Sequence, residues 1–197
     1  MKKVLGLIFV TIMYIGFLSG CGNSSAETEP TASETDTQST GVSASKEKVT
    51  DFKEYEIAGV SFEVPEIWET QNSSDDTMYF YQDTYNFMTV AVDDSSGESV
   101  TGEYRDLFID EFMNNLKNAK LLSNDEISVD NKPALKFNIS SLIDGDIYNS
   151  SVVAFDVENQ IVYFMNASMK SVSVDYNEEF ESILNSISTP KEVVPSE

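Results

Sequence analysis

Histidine is absent from this chain. Its absence removes the commonest general base, the Ser-His-Asp triad and most zinc and iron sites together. Cysteine occurs once, at Cys21, so no disulfide can close within the chain and no cysteine cluster can hold a metal. Positive charge is scarce: 12 Lys and Arg stand against 34 Asp and Glu, a formal net charge of −22. All the acid lies after Cys21, while Lys2 and Lys3 lie before it, so the chain from Cys21 onward is at −24. No basic patch dense enough to track a phosphate backbone exists, which argues against nucleic acid as a partner. The same sign opposes electrostatic binding to anionic headgroups, so a membrane would have to hold this chain by other means. There is no Gly-rich phosphate loop and no G-x-S-x-G elbow. Carboxylates are abundant, but nothing in the sequence singles out a catalytic pair.

What is present begins at the N-terminus. Lys2 and Lys3 open the chain, residues 4–18 are almost wholly apolar, and Ser19, Gly20 and Cys21 close the segment with small side chains. This is the layout of a secretory signal. The apolar run of 15 residues is short of the roughly 20 that span a bilayer. Leu18-Ser19-Gly20-Cys21 resembles a bacterial lipobox. Small residues at 19 and 20 fit a peptidase groove, and the cysteine thiol can take a diacylglyceryl group through a thioether. Cleavage between Gly20 and Cys21 then frees an amine for a further acyl chain such as palmitate. Two chains anchor stably where one is marginal. The rival reading is ordinary signal cleavage with a free thiol. The position of the sole cysteine favours lipid.

Residues 21–50 form a lipidated cysteine and a tether. Ser, Thr, Glu, Ala and Gly dominate, no aromatic is present, and Val42 and Val49 are the only aliphatics larger than alanine. Such a segment buries too little apolar surface to offset chain entropy, so it is expected to be disordered. As a flexible coil it would reach roughly 30 Å. Residues 189–197, with Pro190 and Pro195, are expected to fray.

Between residues 51 and 188 the pattern is regular. Residues 55–57 and 60–64 alternate apolar and polar around Ala58-Gly59, which predicts a tight hairpin ended by Pro65. Trp68, the only tryptophan, is expected to cap the core. Strands are predicted at 78–82 and 87–92, with a loop at 93–97. A helix is predicted from an N-cap at Thr101 to Asn118, with Tyr104, Leu107, Phe108, Phe112 and Leu116 on its apolar face. Four strands follow at 121–129, 134–143, 147–157 and 160–168, the last three as a meander. A closing helix starts near Asp175, which with Glu178 suggests a capping box. Tyr79-Phe80-Tyr81 places aromatics on both faces of its strand: one set could line a groove while the other lies under a helix, and the favoured reading is a strand covered on both sides. The fold class is α+β, a central antiparallel sheet flanked by helices.

The hairpin running into Val64-Pro65-Glu66-Ile67-Trp68, the long meander and the closing helix from Tyr176 to Ile187 resemble a PsbP-like domain. The resemblance covers most of residues 51–187. It implies the sheet-and-helix architecture just described. Its best-known members are extrinsic subunits that assist photosystem II and its calcium and chloride ions; others are bacterial lipoproteins with no known activity. Histidine-based metal sites of the plant type cannot transfer to a chain without histidine.

One feature invites a site. Asp93, Asp94 and Glu98 form the densest acidic loop and could offer calcium its oxygen ligands, although the spacing is not that of an EF-hand. The ordinary reading is a solvated loop and no cofactor. Asn-x-Ser recurs at Asn23, Asn72, Asn138, Asn149 and Asn166, as expected by chance in a Ser-rich chain, and implies no site. The expected function is that of a non-enzymatic accessory lipoprotein on the extracytoplasmic face of a cell membrane, docking on an envelope protein. The alternative is a surface module for a small ligand or calcium.

Overall fold

The computed structural model describes residues 51–95, 97–172 and 174–190. The segments expected to be a signal and a tether, with Cys21 between them, and residues 191–197 of the expected tail lie outside the described residues.

The chain opens with β1 (Phe52–Ile57) and β2 (Val60–Pro65), paired antiparallel with Ile57 opposite Val60. Ala58 and Gly59 between them have φ of 50° and 74°. Two successive left-handed residues match the right-handed twist of the strands they join. The same device, Asp130-Asn131 (φ 46° and 63°) and Asp144-Gly145 (φ 52° and 97°), closes two later hairpins.

Seven further strands form one sheet: β3 (Glu69–Ser74), β4 (Thr77–Tyr81), β5 (Asn86–Asp94), β6 (Lys117–Val129), β7 (Lys132–Ile143), β8 (Asp146–Val157) and β9 (Gln160–Met169). Their spatial order is β3-β4-β5-β9-β8-β7-β6, and every neighbouring pair is antiparallel. A 3₁₀ turn at Gly102–Tyr104 leads into α1 (Arg105–Asn114) between β5 and β6. Helix α2 (Asn177–Ser186) follows β9.

Both faces of the sheet are covered. On one, the β1–β2 hairpin, the turn after it and α2 pack Phe62, Val64, Trp68, Phe180 and Ile183 over Phe80, Val90, Phe155 and Phe164. Phe62 meets Phe164 edge-on at 5.0 Å between ring centroids. On the other, α1 packs Phe108, Ile109 and Phe112 over Phe137, Val152, Tyr163 and Met165. Phe112 contacts Phe137 at 5.3 Å and Tyr163 at 5.5 Å, both edge-on. Phe80 belongs to the first core and Tyr81 packs against the second, as expected of a strand covered on both sides. Helices therefore flank the sheet only in part, because a hairpin shares one layer with α2. Trp68 is buried and meets Tyr176 edge-on at 5.9 Å, the capping position expected of it.

Several boundaries differ from the sequence reading. Strand β3 was not expected, because Glu69–Ser74 contains no apolar residue. It is an edge strand held through its backbone to β4. Helix α1 stops at Asn114 rather than Asn118, since β6 begins at Lys117 and Asn118 is left-handed at φ 54°. Leu107 is 52% exposed, and Ile109 is buried in its place. At about 100° per residue, Ile109 turns toward the side of Phe112 while Leu107 turns away. Thr101 precedes the 3₁₀ turn but makes no side-chain cap bond. The capping box at Asp175 does not form, because the residue flanking α2 is Tyr176. Asp175 instead accepts the Asn177 N–H at 3.3 Å.

The chain after α2 is also tied down. Ser188 exchanges two backbone hydrogen bonds of 2.9 Å with Ser61 of β2. Thr189, placed in the fraying tail by composition, donates to Asp130 from both its N–H and its hydroxyl.

Candidate functional site

The α2-bearing face of the sheet is apolar only along part of its length. Beyond the N-terminus of α2 the same-face positions of three neighbouring strands change to Asn and Ser. Strand β7 presents Asn138 and Ser140, β8 presents Asn149 and Ser151, and β9 presents Asn166 and Ser168. Antiparallel register aligns Asn138 with Ser151 and Ser151 with Asn166 in one row. Ser140, Asn149 and Ser168 form the next row. Asn and Ser thus alternate in both directions across the floor. Three of the five Asn-x-Ser matches in the sequence are these three strand segments, brought side by side by the fold.

A cleft of about 360 Å³ stands over this floor. Asn138, Asn149, Ser151, Asn166 and Ser168 line it from the sheet. Leu122 of β6, the segment leading into α2, with Lys170, Val172, Val174 and Asp175, and Asn177 at the start of α2 stand on the walls. That segment is fixed at its start, where the Lys170 N–H donates to the Ile147 carbonyl at 2.8 Å.

Hydrogen bonds set the orientation of the floor amides. Asn138 Nδ2 donates to Ser123 Oγ at 2.9 Å, which leaves its Oδ1 as an acceptor. Gln82 Nε2 donates to Asn166 Oδ1 at 2.8 Å, which leaves Asn166 Nδ2 as a donor. Asn166 is 2% exposed. Between these two amides, Ser151 Oγ has no hydrogen-bond partner among the described residues. Buried hydroxyls are normally satisfied; Thr89, Ser141 and Ser150 share this state with Ser151. The floor carries no carboxylate and no cation. Its chemistry is that of neutral donors and acceptors in alternation.

The acidic candidates lie elsewhere. Asp93 and Asp94 end strand β5 rather than standing in a loop. Consecutive strand residues point to opposite faces. Asp94 is exposed, whereas Asp93 is half-buried toward α1. Burial pushes the Asp93 carboxyl up, the Asp94 N–H opposes this, and the charges of Asp94 and Glu111 add to it. Glu98 is exposed in the following loop, where its N–H donates to the Ser95 carbonyl at 2.9 Å. A cleft of about 310 Å³ is lined by Asp76, Asp93, Asp94 and Gln160, without Glu98. Among the described residues no three acidic side chains are grouped to hold a metal ion. Tyr104 donates to Glu111 Oε2 at 3.1 Å. Its phenol is pushed up to about 12, by burial first, then by that bond and by the charges of Glu111, Glu98 and Asp93.

Gly20 and Cys21 lie outside the described residues. Among those described, no helix is long and apolar enough to cross a membrane.

No family model matches the chain, and no curated protein matches it in sequence. Solved structures do resemble it. The cyanobacterial PsbP (CyanoP) of Synechocystis sp. PCC 6803 superposes with a TM-score of 0.55 at 11% identity, over 75% of this chain and 98% of that one. LpqN of Mycobacterium tuberculosis, described as involved in cell envelope biogenesis, superposes with a TM-score of 0.51 at 13% identity, over 72% of this chain and 93% of that one. At these identities the likeness is one of fold: over the 75% of the chain that superposes, it is folded like PsbP.

Proposed function

We propose that this chain is a non-enzymatic accessory lipoprotein, held by lipid on Cys21 at the extracytoplasmic face of a cell membrane. Its PsbP-like domain docks on an envelope protein at the end of a tether. The observation that carries the proposal is the sequence Leu18-Ser19-Gly20-Cys21 behind a short apolar run, with the chain's one cysteine at the acceptor position. A fold shared with LpqN, a protein involved in cell envelope biogenesis, supports the setting.

Fractionation tests the anchor. The wild-type chain is expected in the membrane fraction, and processed Cys21→Ala in the soluble extracytoplasmic fraction. Retention of processed Cys21→Ala on the membrane contradicts the proposal. A second reading, a surface module for a small ligand, is favoured by one observation, the cleft beyond α2.

A further inference from the structure

We propose that the cleft between the β7-β8-β9 floor and the segment leading into α2 binds a neutral oligosaccharide. The inference rests on the cleft alone and does not depend on the docking role.

The chemistry of the floor selects this occupant. Sugar hydroxyls both donate and accept, and they crowd several such groups into a small volume. Asn138 Oδ1 is left as an acceptor, Asn166 Nδ2 as a donor, and the unpartnered Ser151 hydroxyl between them can do either. Asn149 and Ser168 repeat the pattern in the neighbouring row. Three strands at about 4.8 Å spacing and two rows about 7 Å apart give a floor of roughly 10 by 7 Å. The volume of about 360 Å³ falls within the range of small-molecule sites.

Other ligand classes fit less well. The chain carries −22, which opposes an anion. The floor lacks carboxylates, which leaves a cation no counter-charge, and the wall charges Lys170 and Asp175 are of opposite sign. An extended peptide is recognised through a sheet edge and pockets for alternate side chains, whereas this floor lies within the sheet and its side chains are polar. Leu122, Val172 and Val174 on the walls supply apolar surface for the C–H faces of sugar rings.

Calorimetric titration of the full chain in detergent micelles tests the proposal, with chitotetraose and cellotetraose as neutral probes and tetra-alanine and trigalacturonate as comparators. At least one neutral oligosaccharide is expected to bind, and neither comparator. Asn149→Ala and Ser151→Ala are each expected to weaken that binding about tenfold, the loss of one hydrogen bond to the sugar. Asn149 is exposed, so its variant keeps the wild-type thermal transition. The proposal is overturned if neither oligosaccharide binds, if tetra-alanine or trigalacturonate binds instead, or if both variants bind as the wild type does.

Discussion

Thr189 donates two hydrogen bonds to a single oxygen of Asp130, from its N–H at 2.7 Å and from Oγ1 at 2.8 Å. The first residue of the β6–β7 turn thereby holds the chain that leaves α2. Both bonds favour the ionised carboxylate, and with Lys132 they hold Asp130 below its ordinary range. A depressed carboxyl contributes stability that is present above its unfolded value near 3.8 and lost as pH falls through the folded one. Asp130→Asn is expected to unfold at lower urea than wild type at pH 7 and to match it once the pH is below the folded value. Urea titrations at both pH values check this. Equal midpoints at pH 7 would show that the clasp contributes nothing.

Burial predicts a sharp contrast in mutational cost. Phe164 is fully buried and meets Phe62 at 5.0 Å and Phe155 at 6.2 Å. Phe164→Ala is expected to cost about 3–5 kcal/mol through lost transfer energy and a residual cavity. Leu107 is 52% exposed on α1, and Leu107→Ala is expected to stay within about 0.5 kcal/mol of wild type. Chemical denaturation of both variants is the check. A large effect at Leu107 would mean that α1 presents a different face to the sheet.

Alkaline pH provides a third expectation. Tyr104 and Tyr176 are each pushed up to about 12, in both cases by burial first. Asp83 adds to the effect at Tyr176 through its charge and through a 3.2 Å bond from the phenol. A tyrosine whose folded value is raised contributes stability that is present below the unfolded value of 10 and lost as pH rises toward the folded one. The chain is expected to lose stability between pH 10 and about 12. Tyr176→Phe is expected to lose less over that interval. Thermal unfolding followed against pH, with tyrosinate absorbance at 295 nm as a guide to ionisation (~10 for a free phenol), checks both statements.

How much of this was legible in the sequence follows from how local each signal is. Ala58-Gly59 between two alternating strands announced its hairpin, because turn and pattern sit within 14 residues of each other. The meander was legible for the same reason. Strand β3 was hidden because an edge strand can hold itself by backbone bonds with no apolar face. The acidic loop attracted attention by its density, yet strand alternation places Asp93 and Asp94 on opposite sides. The cleft left a faint trace, the repeated Asn-x-Ser at 138, 149 and 166. Its meaning depends on register: only the pairing of β7, β8 and β9 sets Asn138 beside Ser151 and Ser151 beside Asn166. Asn-Ser pairs at i and i+2 recurring in three consecutive strands are the signal that could have found it.

The central claim is that a folded module works at the membrane by docking on an envelope protein. Crosslinked capture from native membranes tests it most directly, with the full lipidated chain as bait and the tether of residues 21–50, lipidated in the same way, as control. The account predicts a defined envelope protein on the full chain that the tether alone does not capture. Recovery of nothing beyond the tether control, or of the same proteins by both, would contradict it.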